Sequence, residues 1–224
     1  MKSKIISLAI LTFVIFLTGC SYDNYDPPTS FLTGNVTYNN NPVGVRSNAT
    51  QLELWQYGYA LRSKIAVYIA QDGTYSAKLF DGNYKLVRLA GGPWTNQTDS
   101  IDVSVSGNTI VNVPVTPFYT ITNDSYSLNS GVITSTCTVT KVGTAAITSL
   151  TLYVGITNIV DANNTSQSTT LNAAALADLS TPKTVTVTLN ATLAARSYVY
   201  VRLGVLSAGS SERLYSPVQK ITLQ

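Results

Sequence analysis

From Phe31 to the end of the chain, apolar and polar residues alternate, and turn residues interrupt the alternation at short intervals. Successive side chains of a strand point to opposite faces, so a period of two marks strands with one face buried. The first such runs are 31–38, 51–57, 64–70, 74–80, 84–89, 100–105 and 109–115. Between them stand Asn39-Asn40-Asn41-Pro42, Asp72-Gly73, Asp81-Gly82-Asn83, Gly91-Gly92-Pro93 and Gly107-Asn108, all turn chemistry. Only 11% of residues are charged, while β-branched residues and tyrosine abound, so the chain can bury a core. Short strands at this spacing predict an all-β fold of sandwich type.

The pattern stops at Val115-Thr116-Pro117-Phe118 and restarts at Tyr119, which predicts a domain boundary. The second unit offers strands over 119–128, 132–142, 147–156, 184–189, 197–205 and 214–223. One helical stretch of at most two turns is expected over 172–179 (NAAALADL). Two tandem β-sandwiches follow, over 31–116 and 117–224.

The segments Gly34-Asn35-Val36, Pro42-Val43, Gln71-Asp72-Gly73-Thr74-Tyr75 and Leu79-Phe80-Asp81-Gly82-Asn83-Tyr84 resemble the carboxypeptidase-regulatory, transthyretin-like domain. In that family a glycine-marked first strand leads to a D-G-x-Y hairpin and a G-x-Y strand start, and turns with positive φ favour glycine. Leu193-Ala194-Ala195-Arg196-Ser197-Tyr198 resembles the E–F corner of fibronectin type III and immunoglobulin-like sandwiches. That likeness implies that Tyr198 locks the corner by bonding back to backbone. The usual turn glycine and the B-strand tryptophan are missing, so the second unit is a sandwich of this general type.

The amino terminus fixes a setting. Lys2 and Lys4 precede an apolar run from Ile5 to Leu17, the pattern of a secretory signal and too short to span a bilayer comfortably. Leu17-Thr18-Gly19-Cys20 resembles the lipobox of bacterial lipoproteins. The resemblance implies loss of residues 1–19 as a signal peptide and acylation of Cys20, with 20–30 as a tether. Asp23 and Asp26 resemble surface-export signals of Bacteroidetes lipoproteins. The protein is therefore expected at the bacterial outer membrane, held by its lipid and surface-exposed, with the periplasmic leaflet as the alternative. Gln51-Leu52-Glu53-Leu54-Trp55-Gln56-Tyr57-Gly58 and Val67-Tyr68-Ile69-Ala70-Gln71-Asp72-Gly73, within this domain order, resemble two-domain lipoproteins of gut Bacteroidetes. That family is associated with glycan-uptake systems, which implies outer-membrane transport proteins as partners.

Several chemistries lose their usual carriers. Histidine is absent, which removes the commonest general base and transition-metal ligand. With Cys20 acylated, Cys137 stands alone on an apolar alternation and reads as core. No metal-ligand spacing or phosphate-binding glycine loop occurs, so no cofactor and no metal are expected. The glutamates Glu53 and Glu212 fall in different units, and Asp102 should face solvent opposite Ile101 and Val103. Asp72, Asp81 and Asp161 read as turn formers. Of fourteen Lys and Arg, two lie in the leader, leaving twelve against eleven acids, a balance that implies no nucleic-acid partner. The chain is not expected to be an enzyme.

Binding has better candidates. If Leu52 and Leu54 face the core, then Gln51, Glu53, Trp55 and Tyr57 face away. Aromatic rings among polar groups suit sugars, whose C–H faces stack while amides and carboxylates take hydroxyls. Trp94, in Gly91-Gly92-Pro93-Trp94-Thr95-Asn96-Gln97, is a further candidate, with Tyr59 and Arg62 as weaker additions. The competing reading has these aromatics packing a domain junction or meeting a protein partner. Asp99-Ser100-Ile101 also matches an O-glycosylation pattern of Bacteroidetes at Ser100. Carbohydrate binding and a structural role in an outer-membrane complex are the two functions expected.

Overall fold

The computed structural model describes residues 26–58 and 61–223. Cys20 and the leader, and likewise Tyr59, lie outside the described residues. The first domain holds β1 (Ser30–Tyr38), β2 (Asn41–Pro42), β3 (Gln51–Gln56), β4 (Lys64–Tyr68), β5 (Thr74–Leu79), β6 (Gly82–Arg88), β7 (Ser100–Val105), β8 (Asn108–Ile110) and β9 (Val113–Pro114). The second holds β10 (Tyr119–Asn129), β11 (Val132–Lys141), β12 (Ile147–Gly155), β13 (Gln167–Asn172), β14 (Lys183–Thr188), β15 (Tyr198–Ser207), β16 (Leu214–Tyr215) and β17 (Gln219–Thr222). The fold is all-β.

In the first domain, β1 pairs antiparallel with β2 and β5 and parallel with β8 and β9, and the facing sheet runs β4-β3-β6-β7. In the second, β10-β11-β14 faces β13-β12-β15-β16, with β17 also on β15. The alternation does what it predicted. Leu32 and Val36 of β1 and Leu52 and Leu54 of β3 are fully buried, as are Leu150 and Leu152 of β12 and Val199, Val201 and Leu203 of β15. One buried cluster runs from Leu32 through Trp94 to Leu203, so the domains share a core.

Two glycines of the transthyretin-like pattern have different reasons to be there. Gly73 takes φ +88° in the Asp72-Gly73 turn, where Asp72 accepts from the Thr74 amide and hydroxyl. Gly34 has no positive φ. A Cβ there would lie 1.8 Å from the Val111 carbonyl oxygen, so close backbone approach excludes any side chain.

The structure departs from the sequence reading where local chemistry interrupts a strand. The run 109–115 divides into β8 and β9 around Val111 and Asn112, the latter accepting from the Asn35 amide. The run 214–223 divides at Pro217, which has no amide hydrogen for the ladder. β13 (QSTTLN) was unmarked because, as an edge strand, it carries one large apolar residue. The helix expected over 172–179 is a single 3-10 turn, Ala174–Leu176, with buried Leu176 as its anchor. A four-residue helix, α1 (Ala191–Ala194), forms instead at the corner, capped by Asn190 Oδ1 accepting from the Leu193 amide.

The corner tyrosine is also corrected. Tyr198 is 40% exposed, its ring edge-on to Tyr200 and under the Lys220 ammonium at 3.9 Å. It lies on the surface. The corner is closed by the capped turn and by Leu193, which is buried.

Candidate functional site

The outer face of the β4-β3-β6-β7 sheet carries the aromatic row. Because Leu52 and Leu54 occupy the core face, Glu53 and Trp55 must project from the other, with Tyr57 one step past the strand end. Pairing sets their neighbours. Trp55 lies between Lys64 of β4 and Lys85 of β6, and Lys85 lies beside Asp102 of β7. One residue pair along, Glu53 sits between Ala66 and Val87, and Val87 faces Ser100. Gln51 is paired with Tyr68, which is exposed, at the far end of β3.

Hydrogen bonds hold the indole in place. Trp55 Nε1 donates to Glu53 Oε2 at 3.2 Å, and Lys64 Nζ donates to Glu53 Oε1 at 2.7 Å. Glu53 is 6% exposed, so its carboxylate forms the floor beneath Trp55 and Lys64. The sequence reading gave it to ligand hydroxyls; the structure gives it an anchoring task. Tyr57 is 55% exposed, with the Arg62 guanidinium 5.1 Å from its ring centre. Trp55, Tyr57, Arg62, Lys85 and Ser100 line one shallow groove. The platform is open, preset and edged by polar groups.

Trp94 does not belong to it. At 1% exposure it is buried where the Gly91–Gln97 loop meets the linker, bridging to Pro117, while Thr95 donates to the Thr116 carbonyl. Ser210 and Ser211 of the second domain donate to the Gly92 and Gly91 carbonyls, each at 2.9 Å. Gly92 is required beside the indole, since a Cβ there would meet its Cε2 at 2.7 Å. The expectation that Trp94 offers a ring to a ligand is therefore overturned. A large apolar ring on a loop was covered by the neighbouring domain, which a reading of one strand at a time could not show.

Several other acids are engaged within the fold. Glu212 pairs with Arg46 across the domain junction, and Asp102 pairs with Lys85 on the surface. Asp99 accepts from Arg88 Nη2, and that hydrogen bond holds its carboxyl below the ordinary carboxylate value. Asp161, fully buried, accepts from the amides of Asn163 and Asn164. Asp81 accepts from Ser30 Oγ and the Gly107 amide. Burial pushes the Cys137 thiol up to about 12, with Asp124 adding to the shift, so Cys137 is a core residue. Among the described residues no three His, Cys, Asp or Glu side chains gather as metal ligands.

A second concavity, which no single strand's pattern announces, is a groove of about 710 Å³ at the domain junction. The β1–β2 hairpin forms one wall and β10 the other, where a bulge between Thr122 and Ser125 sets Asp124. Its signal is a register shift, invisible until both strands are paired.

Comparison with protein families places both halves of the chain. Residues 30–116 match the N-terminal domain of a protein of unknown function, DUF3823, and residues 119–220 match its C-terminal domain. The chain belongs to the DUF3823 family. A DUF3823 protein of Bacteroides ovatus is 38% identical, with 87% of this chain and all of that one aligned at a TM-score of 0.82. A DUF3823 protein of Parabacteroides merdae is 31% identical over 88% of this chain and all of that one, at 0.81. The same fold appears in a Bacteroides uniformis protein described as a candidate carbohydrate-binding protein. That protein is 19% identical over 88% of this chain and all of that one, at a TM-score of 0.73. No curated protein matches the chain. The expected two-domain Bacteroidetes family is thus the one found.

Proposed function

We propose that this DUF3823 protein is a lipid-anchored, non-enzymatic surface protein that holds glycan through the outer face of its first domain. The observation that carries this reading is the pair of half-buried Trp55, on the outer face of β3, and exposed Tyr57, two residues on and one step past the strand end. Such a pair is spaced by roughly 7 Å at strand rise. The indole is fixed by Glu53, so stacking costs little rotamer entropy. Polar side chains at the rim supply partners for hydroxyls.

Acylation at Cys20 would tether the domains at the outer membrane, beside transport proteins that receive the glycan. The leader residues and the family likeness support that setting. The Bacteroides uniformis protein of this fold, described as a candidate carbohydrate-binding protein, agrees with this reading.

Electrophoresis through gels containing soluble polysaccharides tests the proposal. The wild-type protein should be retarded by at least one glycan, and Trp55→Ala with Tyr57→Ala should run free. Unretarded wild-type protein across a broad panel, or equal retardation of the double variant, would favour a purely structural or protein-interaction role.

A further inference from the structure

The charges around the platform narrow its ligand. Three cations, Arg62, Lys64 and Lys85, surround Trp55 and Tyr57, against two acids, Glu53 and Asp102. Glu53 lies buried beneath Lys64, whose side chain is far more exposed, so the cation is the partner presented to solvent. Asp102 stands beyond Lys85, one strand farther from Trp55, and is paired with it. Arg62 has no carboxylate within ion-pair distance among the described residues; its guanidinium rests on the Tyr57 ring. An arginine placed this way keeps its planar donors for a ligand, and such a fork matches carboxylate or sulfate.

We infer that the platform takes an acidic sugar, with the ring stacked on Trp55 and Tyr57 and its anionic group held by Arg62. The inference rests on the glycan-binding reading and refines it. Lys64 and Lys85 flank the indole on neighbouring strands and add a favourable field over the same spot. The shared chemistry is an oxyanion on a sugar ring, from either a uronate or a sulfate ester.

Two matched pairs of probes separate these sources: polygalacturonate against its fully methyl-esterified form, and a sulfated galactan against the unsulfated one. Calorimetric titration should show about tenfold or tighter binding to the charged member of at least one pair, the scale of one charge-assisted hydrogen bond. Added salt should narrow the gap, and Arg62→Gln should close it. Equal affinity within both pairs overturns the acidic-sugar inference while leaving the platform standing. So does a charge preference that Arg62→Gln leaves intact. Absence of binding to these four and to every neutral glycan tested overturns the platform reading as well.

Discussion

Arg202 of the second domain donates from Nη2 to the Gln71 carbonyl of the first at 2.5 Å. The same guanidinium donates to the carbonyls of Val45, at 3.1 Å, and Ser216, at 2.6 Å, and lies 4.5 Å from the Tyr215 ring centre. Arg202 is 1% exposed, and burial lowers its pKa to about 10, which still leaves it charged at neutral pH. The Tyr215 amide continues the seam by donating to the Gly44 carbonyl at 2.9 Å. The two sandwiches are therefore bolted together through backbone acceptors, which gives the platform a fixed orientation relative to the second domain.

Replacing Arg202 with Met should expose the strength of that seam. Four carbonyls, those of Val45, Gln71, Val160 and Ser216, lose a donor, and each one left buried without a partner costs about 1–3 kcal/mol. Scanning calorimetry should show one transition for the wild type and, for Arg202→Met, a lower Tm with the domains unfolding separately. A single unshifted transition would contradict the proposed coupling.

Trp94 and Trp55 should respond oppositely to truncation. Trp94→Ala removes a buried ring from the shared core and should cost about 3–5 kcal/mol, read as a lower denaturant midpoint. Trp55→Ala lies on an open face and should cost far less while abolishing glycan retention.

Gly34 should tolerate nothing larger. Because a Cβ would overlap the Val111 carbonyl oxygen, Gly34→Ala must push β1 from the segment joining β8 to β9. The expected result is a loss of about 1–3 kcal/mol, as for overpacked sites, measured by urea unfolding.

Alkali should unfold the protein through protons it holds too tightly. Burial raises Tyr75, Tyr215 and Cys137 to about 12, from ordinary values of 10.0 for the phenols and 9.0 for the thiol. Between those limits the unfolded chain binds fewer protons than the folded one, so stability falls as pH rises. It should be complete below pH 9 and lost progressively from there to about pH 12. Cys137 should accordingly resist thiol reagents at pH 8 until denaturant is added.

The alternation of residues was enough to place the core face of β3, and with it the outward direction of Trp55. Strands with one apolar face were legible for this reason, while β13, with Leu171 as its single large apolar residue, was silent. The Asp72-Gly73 turn declared itself through local chemistry, but Gly34 did not, since its constraint comes from Val111, far along the chain. Trp94 shows the same limit at the level of the site. Its loop sequence suggested exposure, and only the arrival of Ser210, Ser211 and Pro117 from beyond the loop revealed a buried junction. Glu53 was placed on the correct face, yet its bonds to Lys64 and Trp55 depend on cross-strand register that no single strand encodes.

The most direct measurement uses the two tryptophans as separate reporters. In a Trp94→Phe variant, Trp55 is the sole source of indole fluorescence, and in Trp55→Phe, Trp94 is. Titration with a polysaccharide that retards the wild-type protein should shift or quench Trp55 emission and leave Trp94 emission unchanged. A response from Trp94 alone, or from neither while retention persists, would contradict glycan binding on the outer face of the first domain.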